Sequence, residues 1–347
     1  MTAVYRKFDR PTIDFTGKSV LVTGGTGSFA RAFVDTLLSQ NAPRRLVVFS
    51  RDEQKQDVMA REVSAAHPGL ADRMRYFIGD VRDLSRLELA MREIDYVVHA
   101  AAIKIIPIAE YNPFETILTN VHGAENVVKA ALRNKVSRVV ALSTDKAANP
   151  INLYGASKLA SDKIMVAANN LSGSHGTKFS VVRYGNVIGS RGSVVPFFDS
   201  LIKKGAKALP ITDPRMTRFW ITLEQGVQFV LSSLALMNGG ELFVPKIPSM
   251  KMTELARAMA PDLPHEIVGI RPGEKLHEVM ITEDDARLTL ELDDRYVICP
   301  QFPGWKSEHL AKAGAKPVAE DFRYSSEINK EWLDAANLNG LIGRKAA

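Results

Sequence analysis

A short apolar strand that runs into a glycine loop and then a helix constrains this chain most. Lys18-Ser-Val-Leu-Val-Thr23 reads as the strand, Gly24-Gly-Thr-Gly27-Ser-Phe-Ala30 as the loop, and Arg31 to Gln40 as an amphipathic helix. Glycines there let backbone amides approach a pyrophosphate at the helix N-terminus. Ala30 stands where a third glycine is commoner, and its methyl is small enough for close helix–strand packing. A glycine triad alone is a weak signal, since glycine-rich turns are common. At the N-terminal strand of a βαβ unit it points to a dinucleotide, held around Thr23, Gly24, Thr26, Gly27, Ser28 and Phe29.

The pattern repeats. Arg45–Phe49, Met74–Ile78, Asp95–His99, Arg138–Ser143 and Lys178–Tyr184 are apolar runs of strand length, and helical segments separate them. Two of those helices are long, Pro113 to Asn134 and Tyr154 to about Asn170. This order predicts an α/β fold, a Rossmann-type doubly wound parallel sheet with a smaller C-terminal substrate-binding lobe. We expect a dinucleotide domain over 15–185, with some later segments returning to it, a substrate lobe over 186–300, and a peripheral extension over 301–347 with a short helix from Ser326 to Ala336.

With 347 residues, 46% of them hydrophobic and 24% charged, the chain suits a soluble globule with a substantial core. A net charge of +6 without basic runs favours small anionic ligands over nucleic acid. No apolar run reaches the length of a membrane span, and the first residues lack a signal-peptide pattern. The single cysteine, Cys299, fits a reducing cytoplasm. No Cys/His cluster has metal-ligand spacing.

The second strand ends in Ser50-Arg51-Asp52-Glu53-Gln-Lys55. An NAD-preferring site places an acid at this strand end, on the ribose 2′-hydroxyl. Here Ser50 and Arg51 come first and Lys55 lies one helical turn on, which suits a 2′-phosphate and favours NADP over NAD. Asp52 and Glu53 also fit the N-cap and first turn of the next helix. Asp80, after the third strand, suits an adenine amine or a turn, with Val81 beside it. Ala100 and Ala101 follow the fourth strand, small enough for a flat ring to lie on the backbone. His99 reads as a packed histidine, and Lys104 either lines the site or is solvated.

Chemistry concentrates after the fifth strand, in Thr144-Asp145-Lys146 and Tyr154-Gly-Ala-Ser-Lys158. Ligands of open α/β sheets sit at such strand ends. Tyr154 and Lys158 are four apart on one helix face. A nearby cation lowers a phenol pKa from about 10, towards what a general base needs. A Tyr-x-x-x-Lys pair is common by chance; behind Thr-Asp-Lys it reads as a device that deprotonates a hydroxyl. The second half then offers Asn186, Arg215, Arg218, Arg271 and Glu274 in charged loops. Arginine forks suit a diphosphate and a glutamate suits ribose hydroxyls, although each alone also fits a surface ion pair.

TGGTGSFA, FSRDEQKQ, HAAAIK, STDKAANPINLYGASK, RYGNVIGS, ITDPRMTRFW and RPGEKLHEVM together resemble the extended short-chain dehydrogenase/reductase superfamily. Within it the chain is similar to the soluble inverting UDP-N-acetylglucosamine 4,6-dehydratases of pseudaminic acid biosynthesis, over residues from about 15 to 300. The resemblance implies that Gly24, Gly27 and Ala30 form the pyrophosphate loop and that Ser50, Arg51 and Lys55 select NADP. It implies that Tyr154 takes the C4 hydroxyl proton while Lys158 holds the nicotinamide ribose and lowers the tyrosine pKa. It further implies that Thr144 bonds the C4 oxygen, Asp145 protonates the leaving C6 hydroxyl, and Lys146, kept partly neutral by nearby positive charge, takes the C5 hydrogen. Retaining dehydratases carry Thr-Asp-Glu in that triplet, so Lys146 is the discriminating residue. Superfamily members pair through the two long helices, which implies a homo-oligomer. A retaining dehydratase, a nucleotide-sugar 4-epimerase and a non-catalytic NADP-binding sensor are the alternatives.

Overall fold

In the computed structural model, residues 5–173, 176–190 and 192–341 are described. Apolar, β-branched runs form the strands of the first half: β1 (Ser19–Thr23), β2 (Arg45–Ser50), β3 (Met74–Ile78), β4 (Tyr96–His99), β5 (Arg138–Thr144) and β6 (Lys178–Tyr184). Between them run α1 (Ser28–Gln40), α2 (Glu53–Ala66), α3 (Leu84–Ala90), the short α4 (Ile106–Tyr111) and α5 (Pro113–Ile117), α6 (Gly123–Arg133) and α7 (Leu153–Ala167). Every residue of β1 is buried, as expected of a parallel strand covered by helices on both faces.

The second half adds β7 (Asn186–Val187), α8 (Val194–Lys203), β8 (Leu209–Ile211), β9 (Thr217–Ile221), α9 (Leu223–Leu236), β10 (Leu242–Pro245), β11 (Ser249–Lys251), α10 (Met252–Met259), β12 (His265–Ile267), β13 (Val279–Ile281), β14 (Thr289–Glu291), β15 (Arg295–Ile298), β16 (Lys316–Pro317) and β17 (Tyr324–Ser325). The main sheet has ten strands in the order β16-β14-β15-β10-β6-β5-β4-β1-β2-β3. From β3 to β10 all neighbours pair in parallel, while β15, β14 and β16 close the far edge antiparallel. Strand order reverses between β1 and β4, so a crevice opens at their C-terminal ends. A second core, built around Phe198, Trp220, Met250 and Leu255, belongs to the lobe formed by β7, β8, β9, β11, α8 and α10. Among the described residues no helix is long and apolar enough to cross a membrane.

The structure refines one sequence expectation and corrects another. The helix expected from Pro113 to Asn134 runs from Pro113 to Arg133 and widens into a π turn at Leu118–His122. Asn120, buried in that turn, accepts from Ile103 N at 2.8 Å and donates to Ile103 O and Ser157 Oγ, both at 2.9 Å. Such turns recur at functional sites because they re-aim a side chain; here the wider turn fastens the segment after β4 to α7. The helix expected from Ser326 to Ala336 is absent, and a helix starts only at Ala335. The stretch is also less peripheral than expected. β17 pairs with β13, β16 completes the sheet edge, and Tyr324 Oη donates to Ile247 O at 2.9 Å from a buried position. Two-residue strands are too short for a period of 2 to show in sequence. Residues 342–347 of the extension lie outside the described residues.

Candidate active site

The glycine loop explains itself in contacts. Gly24 has φ +63°, and a Cβ there would stand 2.9 Å from Ala101 N and 3.0 Å from Ala100 O. A Cβ on Gly25 would meet Val48 Cγ1 at 2.5 Å. The loop therefore lies directly against the ends of β2 and β4, which only glycine permits. Gly27 is the N-cap of α1 and no side chain caps it, leaving the helix N-terminus available to an anion. Thr23 Oγ1 accepts from Ala100 N (3.1 Å) and Ala101 N (3.2 Å) and donates to His99 Nδ1 at 2.8 Å. That assignment puts the His99 proton on Nε2. Burial, then the charge of Lys158, push the His99 pKa down to about 3, so it stays neutral and packed, as its sequence context suggested.

Around the second strand end, charges are paired with each other. Ser50 Oγ accepts from Gln56 Nε2 at 2.9 Å. Asp52 caps α2 by accepting from Lys55 N at 2.9 Å, and Lys55 Nζ lies 2.6 Å from the same carboxylate. Asp80 accepts from Arg82 N and Nε, both at 2.9 Å, with Arg51 Nη1 3.6 Å away. Burial works to raise the Asp80 carboxyl, yet these arginines hold it below its usual range. Val81 is buried against the position of Gly123, whose Cβ would meet Val81 Cγ2 at 2.8 Å. Phe29 stacks on Phe33 at 5.8 Å, Thr26 is buried, and Lys104 is exposed.

The fifth strand end carries the densest chemistry. Thr144 Oγ1 donates to Asp145 Oδ1 at 2.9 Å and caps a single 3₁₀ turn over Asp145–Ala147. Helix α7 is set directly on this turn: a Cβ on Gly155 would stand 2.2 Å from Lys146 O. Asn152 fixes the helix start by accepting from Gly155 N at 2.8 Å and donating to Gly273 O at 2.7 Å. Tyr154 thereby faces Thr144 and Lys146. Burial raises its phenol to about 12, opposed by the Lys146 charge and a hydrogen bond with Thr144. Lys146 is thus a cation that acts on Tyr154 beside the one expected from the sequence, Lys158. Lys158 is buried, its ammonium makes no hydrogen bond among the described residues, and burial lowers its pKa against the opposing charge of Asp162.

Lys146 Nζ sits 3.0 Å from Asp145 Oδ1 and 3.1 Å from Glu278 Oε1, and both carboxylates are fully buried. Burial works to lower the lysine pKa, but the two carboxylates outweigh it and raise it, with Arg218 opposing. Asp145 and Glu278 thus hold Lys146 towards its charged form, whereas the resemblance implied a lysine kept partly neutral by positive charge. Asp145 is raised by burial and by the Glu278 charge, with Lys146 and Thr144 working against the rise. Burial acts on Glu278 in the same direction, but the Lys146 and Arg218 charges bring it below its usual range. Asp145 Oδ2 and Glu278 Oε2 are buried and find no hydrogen-bond partner among the described residues.

The substrate arginines do not share one arrangement. Arg218 is buried, donating to Thr217 O (2.7 Å), Leu276 O (3.1 Å) and Lys275 O (2.8 Å), with Nε 3.6 Å from Glu278 Oε1. Arg215 is exposed and forks onto Asp213, at 3.0 and 2.8 Å. Arg271 is exposed at the head of a turn closed by Glu274 N to Arg271 O at 3.1 Å, and Glu274 Oε2 is buried without a partner. Asn186 opens β7 beside Trp220. Glu278 itself was passed over in the sequence as part of a charged turn; its one signal was a carboxylate beside the apolar run Val279–Ile281.

A profile described as polysaccharide biosynthesis protein matches residues 20–300. The chain is 55% identical over 334 residues to the UDP-N-acetylglucosamine 4,6-dehydratase (inverting) of Campylobacter jejuni subsp. jejuni serotype O:23/36 (strain 81-176), across 94% of this chain and 98% of the relative. It is 40% identical over 291 residues to the UDP-glucose 4-epimerase of Rickettsia canadensis (strain McKiel), across 82% and 83%. Among solved structures, Pen from Bacillus thuringiensis superposes with a TM-score of 0.85 at 36% identity, covering 95% of this chain and 98% of that one. DesIV, a dTDP-glucose 4,6-dehydratase from Streptomyces venezuelae solved with NAD and TYD bound, shares the fold, with a TM-score of 0.66 at 24% identity over 85% and 95%. Both the sheet that places Thr144, Tyr154 and Lys158 at one crevice and the breadth of these matches lead to one assignment: the chain belongs to the polysaccharide biosynthesis protein family, within the extended short-chain dehydrogenase/reductase superfamily.

Proposed function

We propose that this chain is a 4,6-dehydratase of UDP-N-acetylglucosamine that works through retained NADP and inverts C5, giving a 4-keto-6-deoxy sugar of L-arabino configuration. The observation that carries the reading is the Asp145–Lys146 pair, 3.0 Å apart and beside Tyr154. Moving a C4 hydrogen needs only a Tyr/Lys device. Loss of water across C5 and C6 needs a further base and a further acid, and this pair offers both residue types. The similarity to the Campylobacter jejuni dehydratases supports the same substrate.

The loop geometry, the uncapped α1 N-terminus and the buried Lys158 fit a dinucleotide. Gly24, Gly27 and the α1 N-terminus would hold its pyrophosphate, Lys158 its nicotinamide ribose, and Arg51 and Lys55 the 2′-phosphate. When bound, it supplies a reversible hydride acceptor. Tyr154 Oη takes the C4 hydroxyl proton while Thr144 Oγ1 orients the C4 oxygen. Asp145 delivers a proton to the departing C6 hydroxyl, in keeping with a carboxyl raised by burial. Lys146 Nζ takes the C5 hydrogen and C5 is reprotonated from the opposite face. Arg215 and Arg271 lie on loops suited to the nucleotide diphosphate, and Glu274 suits the ribose hydroxyls. The reading includes a homo-oligomer: Tyr111 and Phe114 are 86% and 82% exposed at the α4–α5 junction, an apolar surface of the kind a second copy covers.

Incubation with UDP-N-acetylglucosamine tests this. NMR of the earliest product should show a 4-keto-6-deoxy sugar of L-arabino configuration without accumulation of NADPH. Interconversion at C4 with no loss of water would establish a 4-epimerase, the activity named for the Rickettsia relatives. Retained D-xylo configuration would establish the retaining dehydratase. A separate result is expected for the cofactor. Arg51→Ala removes a charged hydrogen-bond donor worth about 1.5–3 kcal/mol, so NADP should bind about 10–100-fold more weakly. NAD affinity should stay nearly constant. Titration calorimetry with both dinucleotides checks this, and an equal loss for both would make Arg51 a surface residue.

A further inference from the structure

The acid–base pair has a third member from a distant part of the chain. Glu278 immediately precedes β13, which packs on the Asp145–Ala147 turn. Its main chain is pinned on both sides: Glu278 N donates to Ser326 Oγ at 2.9 Å and Glu278 O accepts from Ser326 N at 2.8 Å. Its side chain is buried, with one oxygen 3.1 Å from Lys146 Nζ and 3.6 Å from Arg218 Nε. The groups that face this cluster are Asp145, Lys146 and Tyr154 from the turn and α7, Arg218 from β9, and Lys275 from the preceding loop, where its Nζ donates to Ala148 O at 2.6 Å. Three further N–H groups of Arg218 donate to backbone carbonyls, which fix its position independently of substrate.

We propose that Glu278 is a positioning residue for Lys146: it holds the ammonium against Asp145 and remains the anion, backed by Arg218, when the lysine proton crosses to Asp145. This rests on the dehydratase reading above and deepens it. In the resting state Lys146 is an ammonium and cannot act as a base. Two oxygens can receive its proton, Asp145 Oδ1 at 3.0 Å and Glu278 Oε1 at 3.1 Å. They differ in charge environment. Glu278 is kept anionic by Lys146, Arg218 and Lys275, whereas burial makes Asp145 the readier acceptor. One N–H bond breaks and one O–H bond forms, with no change in net charge. The product is a neutral amine and a neutral carboxylic acid, the two states that removal of the C5 hydrogen and departure of the C6 hydroxyl require. Without Glu278, Lys146 would lose one of its two anions and would rest less firmly charged.

Glu278→Gln tests this, since it keeps the main-chain bonds to Ser326 and removes only the charge. Lysines of the intact protein are reductively methylated with ¹³C-formaldehyde, and the Lys146 resonance is assigned by its absence in Lys146→Ala. An opposite charge within hydrogen-bond reach shifts a pKa by about 1–3 units. The Lys146 titration should therefore move down by at least about one pH unit in Glu278→Gln. The acid limb of C5 hydrogen exchange in heavy water should move the same way, while reduction of bound cofactor by substrate persists. Glu278→Asp should restore the wild-type titration only in part, leaving it between those of Glu278→Gln and the wild type. An unchanged Lys146 titration in Glu278→Gln would overturn the proposal. If that variant does not fold, Glu278→Asp decides: a withdrawn carboxylate must lower the titration, and no change overturns the proposal. If the wild-type protein shows no C5 exchange, the dehydratase reading fails, and the lysine titration still decides the role of Glu278.

Discussion

Tyr154→Phe is expected to leave the bound cofactor oxidised when substrate is added. The phenol is the one proton acceptor that α7 presents beside Thr144, and the substitution removes only its oxygen. A positioned general base contributes about 10²–10⁴-fold, so cofactor reduction, followed as absorbance in a single turnover, should slow by that factor. The ring stays, so packing and melting temperature should change little. The resting phenol titrates at about 12, well above neutral pH, so the base form has to be produced in the assembled complex. In the wild-type protein the rate of cofactor reduction should accordingly rise with pH through the neutral range. Reduction at the wild-type rate in Tyr154→Phe would mean that a different group takes the C4 proton.

Lys146→Ala separates the later step from the first. Cofactor reduction by substrate should still be seen, whereas deuterium incorporation at C5 in heavy water should fall by about 10²–10⁴-fold. Exchange at the wild-type rate would remove Lys146 from the mechanism and with it the basis for inversion. The same variant has a second signature. It leaves Asp145 and Glu278 buried without their shared cation, and removing one partner of a buried ion pair costs about 3–5 kcal/mol. Asp145, already raised in the wild-type protein, would be raised further. A carboxyl whose folded pKa lies above its unfolded value of about 3.9 binds more protons when folded. Stability is then retained at low pH and lost as pH rises through the interval between the two values. The melting temperature of Lys146→Ala should therefore lie closer to that of the wild type at pH 5 than at pH 8.

Much of this site was legible along the chain because its parts are local. The glycine loop follows β1 within a few residues, and its steric need for glycine is written in the residue type. Tyr154 and Lys158 are one helical turn apart, and Thr144-Asp145-Lys146 occupy a single strand end. The strands themselves were legible as buried runs because parallel strands covered on both faces are apolar throughout. The π turn was not, since five residues of helix and five of π turn carry the same apolar spacing; it is Asn120, buried between Ile103 and Ser157, that reveals it. Arg218 shows what residue type alone leaves open: it suits a phosphate, and three of its N–H groups are given to backbone carbonyls.

The sequence by itself determined the sheet, the glycine loop and the candidate side chains Thr144, Asp145, Lys146, Tyr154 and Lys158, because each depends on residues close together in the chain. Only the tertiary structure decided their protonation. Lys146 is held more firmly in its charged form because Glu278, brought in by β13 and held by Ser326 of the C-terminal segment, joins Asp145 around it. Tyr154 answers to Lys146 for the same kind of reason. Proton affinity follows burial and the charges within a few ångströms, and those are set by how distant segments pack, not by spacing along the chain.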